Sequence, residues 1–179
     1  VYASAGTLRA AARRLERDCA PHGFRSPESE ARLNLKIHQV ELLQPFTVGR
    51  YRVLAFPANH DPVVEPLLYA VATDERSLFY GTDTATLSED VWEAFHAHRC
   101  RFDVVILDHT YGPEEPGTDH LSARQLIAHA GRMCEEGLLN EGARVFATHI
   151  AHEGNPPHPE LAAFAEAHGY EVAYDGLRV

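Results

Sequence analysis

No apolar stretch in these 179 residues approaches the roughly 18 that a membrane-spanning helix requires, so a transmembrane role is not expected. Cysteine is scarce. Cys19, Cys100 and Cys134 are widely spaced and form no C-x-x-C pair, which argues against a disulfide framework and a zinc-thiolate site and fits a reducing cytoplasm. Positive charge is short as well: 16 Lys and Arg face 26 Asp and Glu, a formal charge of −10. Generic attraction to nucleic-acid phosphates is therefore missing, and an anionic substrate has to be held locally, as a metal ion would hold it. The chain opens Val1-Tyr2-Ala3 with neither an initiator Met nor a charged-then-apolar leader. The expectation is a single domain over 1–179 that lacks its N-terminal part.

What is there in excess is histidine, 12 in all. Several stand beside Asp, Thr, Pro or Asn at the ends of apolar runs, and their setting depends on the elements around them. Ser4 predicts an N-cap for a helix carrying Leu8, Ala12, Leu15 and Cys19, ended by Pro21 and Gly23. Short apolar runs follow at Ile37 to Leu43, Tyr51 to Ala55, Pro66 to Ala72 and Leu78 to Tyr80, the last two joined by a polar hairpin connection. Ser88 with Glu89 and Asp90 starts a helix running to about His98, its hydroxyl expected to accept an N–H.

Phe102 to Leu107 reads as a strand covered on both faces that ends in Asp108. Ser122 and Gln125 form an S-x-x-Q capping box, which fixes His120 just outside a helix N-terminus. Arg144 to Ala147 makes another buried strand, Pro159 opens a helix stopping at Gly169, and Tyr170 to Tyr174 closes the sheet. An antiparallel region followed by alternating strands and helices predicts an α/β mixed sheet with flanking helices. Of the remaining residues, His96, His98, His129 and His168 are expected on helix surfaces. Trp92, Phe95 and Cys134 are expected inside.

His60, Asp83 and His149 each stand just after an apolar strand, where rigid backbone fixes a side chain and an open loop leaves it free to bind. Imidazole and carboxylate together suit zinc, manganese or iron. Singly, a histidine after a strand is more often a surface residue, and an Asp between Thr82 and Thr84 is ordinarily a turn former.

Around these residues the chain resembles the metallo-β-lactamase superfamily. Phe56-Pro57-Ala58-Asn59-His60 is similar to its third ligand motif, Leu78 to Thr84 to its fourth, and Ala147-Thr148-His149-Ile150-Ala151-His152 to its fifth. Val104 to Thr110 and His120-Leu121-Ser122 resemble a subgroup that includes the phosphoribosyl cyclic phosphate hydrolase. The family's H-x-H-x-D-H string occurs nowhere in these residues.

The resemblance implies the later portion of an αββα sandwich and a site for two divalent ions, zinc or manganese. His60 would ligate one ion, His149 the other and Asp83 both. His120 would act as a catalytic proton donor, with Asp108 orienting a ligand and His152 touching substrate. It implies hydrolysis of a small phosphodiester, most concretely a cyclic phosphate, by a full-length protein, with the 179 residues alone inactive. A lactone or thioester hydrolase, an RNA-processing nuclease and a non-catalytic remnant completed by a partner segment stay open, as does a homodimer. The acidic balance and the want of a basic, aromatic-rich arm weigh against nucleic acid.

Overall fold

The computed structural model of the protein describes residues 1–113 and 117–179. A two-residue strand, β1 (Tyr2–Ala3), leads into α1 (Ala5–Arg14), and Ser4 Oγ caps the helix by accepting the Thr7 N–H at 3.1 Å. The helix does not run unbroken to Cys19. Leu15 leaves helical backbone at φ −99° and ψ 12°, and the single turn α2 (Glu16–Cys19) follows. The sequence reading did not place α3 (Pro27–Leu33), which Ser26 caps and which carries proline in its first turn. Leu8, Cys19 and Phe24 pack with Ala3 into a small core of their own. The strand expected over Ile37 to Leu43 contracts to β2 (His38–Gln39), parallel to β1 and outside the main sheet. Leu43 ends the extended run by turning into left-handed backbone, φ 57°.

The remaining strands form one mixed sheet. β3 (Phe46–Val48), β4 (Tyr51–Pro57), β5 (Leu67–Ala72) and β6 (Ser77–Gly81) are an antiparallel meander. The connection between β5 and β6 is the hairpin the polar run predicts, closed by a Thr73 N–H to Arg76 O bond of 2.8 Å. From there α4 (Glu89–Ala97), β7 (Phe102–Asp108), α5 (Ala123–Glu135), β8 (Leu139–Thr148), α6 (His158–Ala167) and β9 (Glu171–Val172) alternate, and each added strand is parallel to its neighbour. Among the described residues the sheet has seven strands in the order β3-β4-β5-β6-β7-β8-β9. β8 starts earlier than its apolar run because Leu139 pairs with Phe102 across a register shift. β9 is cut to two residues because β8 ends one residue past its last partner position.

One sheet face carries Phe56, Leu68, Phe79, Val105, Leu107, Val145 and Ala147, and α4, α5 and α6 cover it with Trp92, Phe95, Leu126, Met133, Leu161 and Ala165. The rings of Phe56, Phe95 and Phe102 surround the fully buried Phe79. Truncating a ring packed this way typically costs about 3–5 kcal/mol. β7 is not covered on both faces: Val105 and Leu107 are buried, whereas Val104 and Ile106 on the opposite face are only half-buried. Ser88 caps α4 with its backbone carbonyl, accepting from Val91 and Trp92, and not with its hydroxyl. The capping box of α5 forms as read, with Ser122 N–H to Gln125 Oε1 at 2.8 Å and Gln125 N–H to Ser122 Oγ at 3.4 Å.

Two placements on α5 reverse the expectation. Cys134 is exposed and His129 is buried. The spacing Leu126, His129, Met133 puts His129 on the core stripe, and Cys134 falls one residue off it. His129 Nε2 accepts the Leu87 N–H at 3.1 Å and Nδ1 donates to Gln125 O at 2.7 Å, so the neutral ring bonded on both sides is the folded form. Burial pulls its pKa below the ordinary 6.5. The unfolded chain therefore takes up this proton first: the stability from neutral His129 is full above pH 6.5 and is lost as pH falls toward the folded value. Thermal melting followed from pH 8 to pH 5 should show that loss, and His129→Gln should flatten part of it. Equal slopes for the two proteins would refute the assignment.

Candidate metal centre

β4, β6, β7 and β8 all finish at the same edge of the sheet, because β5 reverses direction between the first two and the rest run parallel. His60 lies three residues past β4, Asp83 two past β6 and His149 one past β8, while Asp108 is the last residue of β7. The capping box holds His120 two residues before Ser122, at the same edge. Four strand ends and one helix start thus deliver five donor side chains to one place.

Asp83 is the centre of the arrangement. Its Oδ1 lies 3.6 Å from His60 Nε2, 3.7 Å from His149 Nε2 and 3.9 Å from His120 Nδ1. Among the described residues no group donates a hydrogen bond to this carboxylate. The imidazoles form a row, with His120 between His60 and His149 at centroid separations of 4.8 and 5.0 Å. Asp83 and His149 both sit in left-handed backbone, at φ 60° and 58°, which costs a non-glycine residue about 1–2 kcal/mol and aims the side chain across the edge.

Asp108 organises what surrounds them. Fully buried, its Oδ2 accepts from Asp83 N–H at 2.9 Å, Thr84 N–H at 3.3 Å and His120 Nδ1 at 2.9 Å. Its Oδ1 takes the Thr110 N–H at 2.9 Å and hydroxyl at 2.8 Å. A carboxylate only accepts, so the His120 proton facing it is on Nδ1 and His120 Nε2 is left free. Thr84 Oγ1, also buried, accepts the Asn59 N–H at 2.9 Å and ties the His60 loop to the Asp83 loop.

The donor set fits a divalent ion. His60, Asp83 and His120 offer ligand atoms within 4.8 Å of one another, and so do Asp108, His120 and His149. Two donors about 2.1 Å from a tetrahedral ion stand roughly 3.4 Å apart, close to the His60–Asp83 and His149–Asp83 gaps and too long for hydrogen bonds. The oxygens of Asp108 are already occupied by N–H and O–H donors, which leaves it the role of orienting His120 and the Asp83 loop.

The structure brings His60, Asp83, His149, His120 and Asp108 together, and His152 is not among the groups that approach Asp83 or Asp108 in the described residues. His152 is exposed and lines a separate cavity of about 650 Å³ with Asn155, His158, Leu161 and Val172. The sequence supplies each ion with two side chains and keeps His120 for proton transfer, and the His120 ring stands between those of His60 and His149. Thr110 escaped notice, although its hydroxyl lies 2.7 Å from His149 Nδ1. His109 has no role assigned from sequence, and Asn155 is not singled out. A hydroxyl two residues beyond a strand-end Asp was the only signal that could have flagged any of them.

A family model described as β-lactamase superfamily domain matches residues 1–150. No curated protein matches by sequence. Among solved structures, a diphosphatase from the PhnP family superposes with TM-score 0.68 at 20% identity over 99% of this chain and 56% of its own. Zn²⁺-bound PqqB from Methylobacterium extorquens superposes with TM-score 0.67 at 19% identity over 98% of this chain and 62% of its own. The metallo-β-lactamase fold protein YhfI from Bacillus subtilis gives TM-score 0.60 at 19% identity, over 80% of this chain and 54% of its own. At these identities the likeness is one of fold, an α/β mixed sheet with flanking helices, and the chain spans a little over half the length of such proteins. No helix among the described residues is long and apolar enough to cross a membrane. With the family model covering most of its length, the chain belongs to the β-lactamase superfamily.

Proposed function

We propose that these residues supply part of a two-metal site that hydrolyses a small phosphodiester, a cyclic phosphate above all. The observation that carries the reading is the Asp83 carboxylate, without a hydrogen-bond donor among the described residues and ringed by three imidazole nitrogens at 3.6 to 3.9 Å. His60 and Asp83 would hold one ion, His149 and Asp83 the other, and His120 stands within reach of both groupings. The likeness to a diphosphatase favours phosphorus over carbonyl chemistry.

When bound, a pair of divalent ions supplies an acidified water and Lewis acidity at the oxygen that gains charge. The chain's own groups do the rest. Asp83 offsets repulsion between two cations with one full negative charge, and the neutral imidazoles add donors without cancelling their acidity. Asp108 accepts from His120 Nδ1, which leaves Nε2 as the exchangeable position: as the imidazolium, His120 would give its Nε2 proton to the leaving alkoxide and remain as the neutral Nδ1–H ring. The side chain of His120 is only 13% exposed, which limits competition from bulk water.

The test is to express the full-length protein, load it with Mn²⁺ or Zn²⁺, and compare a ribose 1,2-cyclic phosphate and bis(p-nitrophenyl) phosphate with a lactone and a thioester. Chelator-sensitive cleavage of the phosphodiesters is expected. Turnover of the lactone alone would move the reading to carbonyl substrates. Turnover of none would leave the non-catalytic remnant as the better account.

A further inference from the structure

We propose that Asn155 and His109 are positioning residues that set where the His149 imidazole stands, by fastening the loop after His149 to the segment after Asp108. The inference rests on the metal-centre reading above. The two segments meet through successive contacts. The His109 N–H donates to Thr148 O at 2.8 Å, one residue before His149. The Thr110 hydroxyl reaches His149 at Nδ1 (2.7 Å) and at its carbonyl (3.0 Å). Asn155 Nδ2 then donates to Thr110 O at 3.0 Å, to Ala151 O at 3.0 Å and to His109 O at 3.4 Å, so one amide grips both segments. Beyond it the backbones touch: a Cβ on Gly112 would stand 1.6 Å from Gly154 O, so only glycine allows this approach at 112.

His109 is the inner half of the fastening. It is fully buried, and its Nε2 lies 2.9 Å from the hydroxyl of Tyr170, itself buried just before β9. With that hydroxyl donating, the ring proton is on Nδ1. Nδ1 of His109 and Oδ1 of Asn155 are each buried and without a hydrogen-bond partner among the described residues. They are a donor and an acceptor, and the three bonds made by Nδ2 fix which end of the amide is oxygen. The fastening matters because His149 is held in left-handed backbone, a conformation that surrounding contacts have to impose on a non-glycine residue.

The test uses Co²⁺ in place of zinc, titrated into the full-length protein and into Asn155→Ala, Asn155→Asp and His109→Gln, with the visible ligand-field bands as readout. Asn155→Ala should weaken Co²⁺ binding by about 10–100-fold and alter the band envelope, the size usual for losing a group that orients a ligand. Asn155→Asp keeps the shape but has no N–H for the three carbonyls, so it should behave like Asn155→Ala even if the alanine variant folds poorly. His109→Gln, which can still offer an oxygen and an N–H, should restore most of the affinity lost in a His109→Ala control. Unchanged Co²⁺ affinity and spectrum in the Asn155 variants, with only a lower melting temperature, would overturn the proposal. Failure of the unsubstituted protein to bind Co²⁺ would overturn the metal-centre reading and this inference with it.

Discussion

On the proposed two-metal reading, replacing Asp83 with asparagine in the full-length protein is expected to abolish tight binding of both ions and to lower phosphodiester turnover on the order of 10³-fold, about 4 kcal/mol of barrier. Asparagine is the informative substitution because position 83 has φ 60°, a region that Asn tolerates nearly as well as Asp, whereas alanine would add backbone strain to the loss of charge. The Asp83 N–H to Asp108 bond survives the change, so the loop keeps its anchor. What disappears is the full negative charge and one of the two oxygens able to face a cation. The Asp83 side chain is more than half exposed, so the fold should barely register the change: within about 0.5 kcal/mol, or roughly 1–2 °C in melting temperature. Isothermal calorimetry with Zn²⁺ or Mn²⁺, run beside thermal melting, separates the two effects. Stoichiometric binding of two ions by the asparagine variant would remove Asp83 from the centre of the site.

Asp108→Ala should show the opposite balance, with fold and site failing together. The Asp108 side chain is fully buried and its two oxygens accept from Asp83, Thr84, His120 and twice from Thr110. Deleting it leaves two backbone N–H groups in the strand-end loops, the Thr110 N–H and the His120 ring N–H without their acceptor, while the Thr110 hydroxyl can still turn to His149 O. Unpaired donors of this kind typically cost about 1–3 kcal/mol apiece, but relaxation and entering water recover much of that. A net loss of about 3–5 kcal/mol is expected, which lowers the melting temperature of a domain this size by roughly 10 °C. Asp108→Asn should fall between, since its oxygen keeps one cluster of donors while its NH₂ opposes the other. Denaturant unfolding of both variants checks the order. Equal stability of Asp108→Ala and the unsubstituted protein would mean that the five hydrogen bonds do not hold the edge together.

The strand-end positions of His60, Asp83 and His149 were legible because each follows an apolar run, and a run of that kind carries its own local signal. So was the capping box, whose two partners are three residues apart. His129 was legible in principle, through its spacing from Leu126 and Met133, but a polar residue on a buried stripe is masked by its own chemistry. The break at Leu15 and the shortness of β2 and β9 depend on which strand lies alongside, and no short window of sequence contains that. Asn155 is the extreme case. It stands between Gly154 and Pro156 in what reads as an ordinary turn, and its partners lie as far as 46 residues away.

The hairpin that joins β5 to β6 lies at the rim opposite the imidazole row, since β5 ends where β6 begins and β6 then runs to Asp83. Asp74, Glu75 and Arg76 at its tip are open to solvent, the kind of place where inserted peptide is best tolerated. A fluorophore or affinity handle grafted at this tip would be carried by the same rigid strand that carries the Asp83 loop, yet a full strand length away from it. The molecule therefore offers a natural grip for immobilisation that leaves its working mouth clear.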